Sequence, residues 1–219
     1  MANWKIVNWK KVWGTLALGL TLTLATHVAS ADEAADAQAF IQKEQNQITN
    51  LMKQNQSDAT INAALDTFVD YDEVTRRSLG DPCPPAIPSC VNHYATLTDA
   101  QKAEVRDLMR QLVQKNYRKT LRKTLDYEIA YKGSKADDLG DSKVRTQAQS
   151  KALRDPPVLA DYLVHKSNGQ MKLVGIVTEG SSLTKNYYDQ FHKMFITPGQ
   201  GYPHLVQKLK DKIAKPEKK

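Results

Sequence analysis

The side chains able to make or break bonds are few and poorly grouped. Ser181 and Ser182, in Gly180-Ser181-Ser182-Leu183, come nearest to a hydrolase nucleophile, but the segment lacks the Gly-x-Ser-x-Gly elbow that lifts a serine onto a strained turn. A serine just ahead of an apolar-periodic run is better read as a helix N-cap, its hydroxyl accepting from a free backbone N–H. His93, His165, His192 and His204 are scattered, with no two at the i, i+4 spacing that places two imidazoles on one helix face, so they read as surface or packing residues. Asp137-Asp138 stand beside Gly140, the composition of a hairpin turn. No phosphate-cradling Gly-x-x-x-x-Gly-Lys-Ser/Thr loop occurs. The expectation is a chain without catalytic residues, metal or cofactor: not an enzyme.

Residues 1–31 carry a different message. Lys5, Lys10 and Lys11 precede an apolar run centred on Leu16, Leu18, Leu20, Leu22 and Leu24, which ends in Val28-Ala29-Ser30-Ala31. That is the plan of a secretory signal peptide cleaved before Asp32, with an apolar stretch too short to span a bilayer comfortably. Cleavage removes three lysines and no acid, so the formal charge falls by three from +7, and residues 32–219 remain as a single domain. The modest basic excess suits anionic lipid headgroups and ordinary solubility equally, and it lacks the dense, aromatic-interleaved patch that nucleic acid would demand. In an oxidising compartment Cys83 and Cys90, seven positions apart in a proline-rich loop, are expected to form a disulfide. Chain entropy would make such a staple worth at most roughly 2.5 kcal/mol, because the prolines already restrict the unfolded loop.

The elements around these residues follow from periodicity. Glu33 to about Phe68 is helical in character, with Ser57-Asp58 opening a second helix that carries Ile61, Ala64, Leu65 and Phe68. Asp70 or Asp72 can cap a short helix that Gly80 ends. Thr98-Asp99-Ala100-Gln101 is a capping box opening the longest helix, on which Val105, Leu108, Met109, Leu112, Tyr117, Leu121 and Leu125 form a stripe expected to face a sheet. The period then drops to two in 125–132, 144–150, 158–164 and 171–177, with Asn168-Gly169 as a hairpin turn and Gly175 marking a bulge or a close backbone approach. Helical spacing returns with Leu183, Tyr187 and Phe191, breaks at Thr197-Pro198-Gly199, and resumes through Leu205, Val206, Leu209 and Ile213. Helices, about four antiparallel strands in a meander, then helices make an α+β domain with one sheet covered by helices on one face.

The remaining signal is apolar and aromatic: Tyr117, Tyr127, Tyr131, Tyr162, Tyr187, Tyr188, Phe191 and Phe195. Periodicity by itself describes a closed core more often than a pocket.

Three stretches together resemble the MlaC (toluene-tolerance) family of periplasmic phospholipid-binding proteins. They are Val69-Asp70-Tyr71 through Leu79-Gly80, then Leu97 with Asp99-Ala100-Gln101 through Tyr117 and Leu121, and Glu179-Gly180-Ser181-Ser182-Leu183 followed by Asn186-Tyr187, Gln190-Phe191, Gly201 and Leu209 to Lys212. The chain departs from the family pattern at Met171, where a Trp is favoured, at Gly175 in place of an Asp, and in the cysteine loop, which reads as an insertion. The resemblance implies an NTF2-like curved antiparallel sheet with a lipid pocket between sheet and helices. It implies a periplasmic monomer that carries phospholipid as cargo between an outer-membrane lipoprotein-porin complex and an inner-membrane MCE-domain/ABC transporter, maintaining outer-membrane lipid asymmetry. Combined with inward periodicity, it nominates Phe68, Val74, Leu79, Leu108, Leu112, Tyr117, Leu121, Ile129, Tyr131, Leu173, Ile176, Leu183, Tyr187 and Phe191 as lipid-lining residues. The competing readings are a lipid-free binding or scaffold module of the same build, whose apolar faces fill one another, and, less favoured, an exported enzyme acting on an apolar substrate.

Overall fold

The computed structural model describes residues 26–84, 87–137, 139–152 and 156–216. The leader expected over residues 1–31 therefore lies outside the described residues up to position 25, as does Asp138 of the paired acids. The chain runs α1 (Thr26–Lys53), α2 (Asp58–Phe68), α3 (Tyr71–Ser78), a 3-10 turn at Tyr94–Thr96, and α4 (Asp99–Thr124). The strands β1 (Tyr127–Ala136), β2 (Ser142–Ser150), β3 (Val158–Ser167), β4 (Gln170–Thr178) and the short β5 (Ser181–Ser182) follow, then α5 (Leu183–Ile196) and α6 (Tyr202–Ala214).

Local signals start these helices where the sequence places them. Ser57 accepts from Thr60 N at 3.1 Å, Asp70 from Glu73 N at 2.9 Å and Ser182 from Lys185 N at 3.3 Å. Thr98 and Gln101 form the reciprocal capping box at the head of α4. That helix is nevertheless not the longest: α1 has 28 residues against 26, because it extends back from Glu33 to Thr26 through a stretch that contains the good helix formers Ala29 and Ala31.

The sheet is an open antiparallel meander in the order β1-β2-β3-β4-β5. The strand beyond the expected four is the two-residue pairing of Ser181–Ser182 with Thr178–Val177. Asn168 and Gly169 both take positive φ, 52° and 76°, as a two-residue hairpin of primed type requires. Two bulges bend the strands. Between Tyr131 and Ser134 strand β1 carries one extra residue, with Gly133 at φ 99°. Between Leu163 and Val164 the partner register jumps from Gly175 to Leu173, leaving Val174 as the extra residue beside Gly175. A Cβ at Gly175 would meet Leu163 Cδ1 at 3.2 Å, so the glycine marks both a bulge and a close approach.

Helices cover one face. α1 lies on β1 and β2, while α2, α3 and α5 lie on β4. The apolar stripe of α4 differs from expectation over its first half. α4 packs chiefly on α6 and α3, and Tyr117, in its second half, interacts with Tyr131 and Tyr162 of the strands. A long helix needs more than one partner to cover a continuous stripe, and periodicity gives the stripe's direction without naming its neighbour. The core joins Ile41, Ile48, Phe68, Met109, Phe191, Leu205 and Leu209 from the helices to Val144, Val164 and Leu173 from the sheet.

The cysteine loop is closed by the Cys83–Cys90 disulfide, with a Cα–Cα distance of 5.7 Å. It leaves α3 through Gly80, whose φ of 85° and position 2.5 Å from Val91 O, measured from an added Cβ, admit no side chain.

Candidate functional site

The helix-facing side of the sheet can be read from the register. Ile129 pairs with Ala148 and Ala148 with Val158; Tyr131 pairs with Thr146 and Thr146 with Ala160; Ser134 pairs with Val144 and Val144 with Tyr162. Over β2, β3 and β4 burial falls from the row of Ser142, Val164 and Leu173 toward the other end, whereas β1 is exposed at both Ala136 and Ile129 and half-buried again at Tyr127. Val144, Thr146, Val164 and Leu173 are buried, Tyr131, Tyr162, Ala148 and Ile176 are half-buried, and Ile129 is 39% exposed. The helices therefore seal β2, β3 and β4 at the end where the β1–β2 hairpin turns and leave the sheet open at the end where β1 and β3 begin. The last turns of α4 and the first turn of α5 lie at that open end. Asn116 of α4 donates to the Tyr187 hydroxyl of α5 at 3.5 Å.

The fourteen nominated residues divide along this gradient. Phe68, Val74, Leu79, Leu108, Leu112, Leu173, Tyr187 and Phe191 are buried in the packed core. Tyr117, Leu121, Tyr131 and Ile176 are half-buried against it. Ile129 and Leu183, expected to point into the interior, stand exposed at 39% and 37%. Ile129 is on the helix-facing side as its alternation predicts, but it lies past the edge of the helix layer. Leu183 is the first residue of α5 and has no preceding turn to cover it.

Between the sealed and open ends sits an aromatic and polar cluster. The ring of Phe68 meets Phe40 at 5.7 Å and Tyr117, edge-on, at 6.2 Å. The Tyr131 hydroxyl donates to Gln45 Oε1 at 2.7 Å, and Gln45 also interacts with Tyr162. Burial pushes the Tyr131 phenol up to about 12 and lifts Tyr162 and, further still, Tyr117. These phenols therefore remain neutral donors at any physiological pH. Such an arrangement can bury hydrocarbon and offer uncharged hydrogen bonds; it has no group poised for acid–base work near neutrality.

The sealed end is built from charge. Arg77, buried on α3, donates from Nη2 to Asp141 Oδ1 at 3.0 Å, with a second bond from Nη1 to Oδ2, and from Nε to Glu73 Oε1 at 2.6 Å. His165 Nδ1 meets Asp141 Oδ1 at 2.9 Å, and Arg76 forks onto Glu73 at 2.8 and 2.9 Å. Burial works to raise the Glu73 carboxyl, but the hydrogen bonds from Arg76 and Arg77 outweigh it and hold Glu73 below the usual range. Asp137 has the turn role expected of it, accepting from Leu139 N and Asp141 N.

Sequence reasoning missed Gln45, Asp141 and the His93–His192 contact of 2.8 Å. Gln45 has a sequence signal, since it lies on the inward stripe of α1 between Ile41 and Ile48; the other two join residues far apart in the chain. Two further clefts, of about 220 and 430 Å³, lie where α3 and α4 meet. They are lined by Asp72, Asp99, Lys102 and Arg106, and by Asp66, Asp70, Arg106 and Arg110, respectively, and contain none of the nominated residues. Among the described residues no group of three or more His, Cys, Asp or Glu side chains is arranged to hold a metal ion, and no helix is long and apolar enough to cross a membrane.

The model of the family described as MlaC protein matches residues 33–211. The chain belongs to the MlaC family. Its fold is that of a phospholipid-binding protein from Ralstonia solanacearum solved in complex with a phospholipid, with a TM-score of 0.66 over 81% of this chain and 97% of that one, at 23% identity. No curated protein matches the chain. Within this MlaC fold the helix-facing side of the sheet reaches solvent at Ile129.

Proposed function

We propose that this MlaC-family chain binds phospholipid, with the acyl chains lying on the helix-facing side of the sheet and entering at its open end, between Leu121 and Leu125 of α4, Ile129 of β1 and Leu183 of α5. The observation that carries the reading is the fall in burial along β2, β3 and β4 on that face, from Val144 at 0% and Leu173 at 4% to the half-buried Ala148, Val158 and Ile176, with Ile129 of β1 beside them at 39%. The support from relatedness is family membership together with the phospholipid held by the Ralstonia solanacearum protein of the same fold.

The physical need is large. Each methylene left in water costs about 0.8 kcal/mol, so a two-chain lipid leaves a bilayer only if a protein surface offers comparable burial. The half-buried Tyr117, Leu121, Tyr131 and Ile176 are the side chains placed to move aside for the chains, while Phe68, Leu112 and Phe191 form the wall behind them. A headgroup then stays at solvent, and the task is binding and carriage rather than catalysis. In the finer form of the proposal, residues 1–31 direct export, the mature chain starts at Asp32, and the protein works as a monomer in the periplasm. There it ferries phospholipid between an outer-membrane lipoprotein-porin complex and an inner-membrane MCE-domain/ABC transporter.

Native mass spectrometry of the exported protein, purified without detergent, tests the reading. The expected result is a mature chain starting at Asp32 with phospholipid mass attached, released and identified by solvent extraction. Folded protein that carries no lipid, and takes up none when incubated with phospholipid vesicles, overturns it.

A further inference from the structure

Three exposed large apolar side chains stand at the open end: Ile129 at 39% on the helix-facing side of the sheet, Leu159 at 46% on its opposite side, and Leu183 at 37%. They stand at the starts of β1, β3 and α5. The same end is basic. From Arg118 to Leu125 the chain holds Arg118, Lys119, Arg122 and Lys123 and no acid. Lys119 and Lys123 are exposed and enter no ion pair among the described residues, while Asp58 of α2 is engaged by both Arg118 and Arg122. The end of α6 adds to the field. Lys115 of α4 donates to the carbonyl oxygens of Lys212 and Ile213, pinning that helix end beside α4. Burial and the neighbouring charges of Lys215 and Lys208 lower the Lys212 ammonium below its ordinary value, as expected where positive charge is crowded. The acids of this region are Asp58, held by Arg118 and Arg122, Asp126, Glu128, Asp211, and Glu179, whose Oε1 accepts from Leu159 N at 2.6 Å; they are fewer than its bases.

Exposed apolar side chains set among unpaired lysines are the combination that holds a protein at a bilayer surface. Greasy groups enter the headgroup layer and ammonium groups meet lipid phosphates. We infer that the open end of the sheet docks directly onto anionic phospholipid bilayers, with Ile129, Leu159 and Leu183 entering the headgroup layer and the lysines of α4 and α6 facing lipid phosphates. The inference rests on the proposed lipid binding, which it deepens: a mouth pressed against the bilayer lets an acyl chain pass without crossing water.

Vesicle flotation tests it, with pure phosphatidylcholine vesicles compared with vesicles in which roughly one-third of the lipid is phosphatidylglycerol, a content that makes the surface strongly anionic. The protein should float with the anionic vesicles and not with the neutral ones, and high salt should release it. The double variant Lys119→Glu, Lys123→Glu should lose about tenfold or more in partitioning, since each lysine at an anionic surface contributes measurably. Leu159→Ser should weaken binding too, whereas Lys135→Glu and Leu139→Ser, at the sealed end, should leave it unchanged. Circular dichroism confirms that each variant is folded. Equal binding to both vesicle types, no binding to either, or indifference to the double variant overturns docking, as does binding only to membranes that retain their proteins. Lipid extracted from the same preparations separates the two claims. Co-purified phospholipid without flotation sinks docking alone, and flotation of a protein that takes up no lipid sinks the carrier reading alone.

Discussion

The two ends of the sheet solve opposite problems with the same face. At one end Arg77, Asp141, Glu73 and His165 lock α3 to the β1–β2 hairpin and to β3 through directional, charge-assisted bonds among buried groups. At the other, Leu121, Ile129 and Leu183 present apolar side chains beside half-buried tyrosines, of which Tyr131 is held by a single neutral hydrogen bond to Gln45. Directional bonds define one geometry and resist change, whereas apolar contacts are interchangeable with hydrocarbon. A protein that must open in one place and hold its shape in another is served by this division, and substitutions at the two ends should report different things.

The largest loss of stability is expected at the sealed end. Asp141→Ala leaves the Arg77 guanidinium buried with only Glu73 as its carboxylate partner, and breaking a buried pair from one side costs about 3–5 kcal/mol. Urea unfolding should show the loss directly, and lipid content per folded molecule should not change. A loss below about 1 kcal/mol would mean that the cluster does not hold the sealed end. Leu112→Ala, at 3% exposure in the wall behind the proposed site, should cost about 2–5 kcal/mol by the same measurement, because it removes packed methyl groups and leaves a void. The matching change at half-buried Leu121 should cost less than half as much, so equal costs at the two positions would erase the contrast between wall and mouth.

Acid should weaken the sealed end. Glu73 is held below its ordinary 4.5 in the folded chain, so the unfolded chain binds its proton more readily. The stability this group contributes is complete above pH 4.5 and is lost as the pH falls below that value and through the folded-state pKa. Urea midpoints measured from pH 7 down to pH 3 should therefore decline below about pH 4.5, and Glu73→Gln should flatten part of that decline. An unchanged pH slope in Glu73→Gln would remove Glu73 from the account.

The open and sealed ends were not equally legible in the residues. Local chemistry fixes what local patterns can describe: the caps at Ser57, Asp70, Thr98 and Ser182, the Asn168-Gly169 turn, and the side of the sheet on which Ile129, Tyr131 and Val144 lie. The Glu73–Arg77 spacing is also a visible i, i+4 pair. Nothing local says that this pair is buried, because its burial depends on Asp141, 64 residues away, and on the hairpin that delivers it. For the same reason the stripe of α4 could be seen but not divided between α3 and α6 on one half and the strands on the other. Ile129 shows the limit most clearly: alternation gives its face, while its exposure is decided by where the helix layer stops.

The smallest stability effect and the sharpest functional one should coincide at Leu121. The side chain is half-buried on α4, one turn past Tyr117, so a glutamate there can turn its carboxylate to water beside Arg118 and Arg122, and the cost to folding should stay within about 1 kcal/mol. A lipid chain passing Leu121 would meet a charge it cannot solvate, and phospholipid recovered per mole of Leu121→Glu should fall severalfold while the urea midpoint barely moves. Undiminished lipid in that folded variant would place the entrance elsewhere. Lost lipid together with a collapse in stability would mean that α4 is as tightly bound at this end as at the other, and that the sheet has no open end.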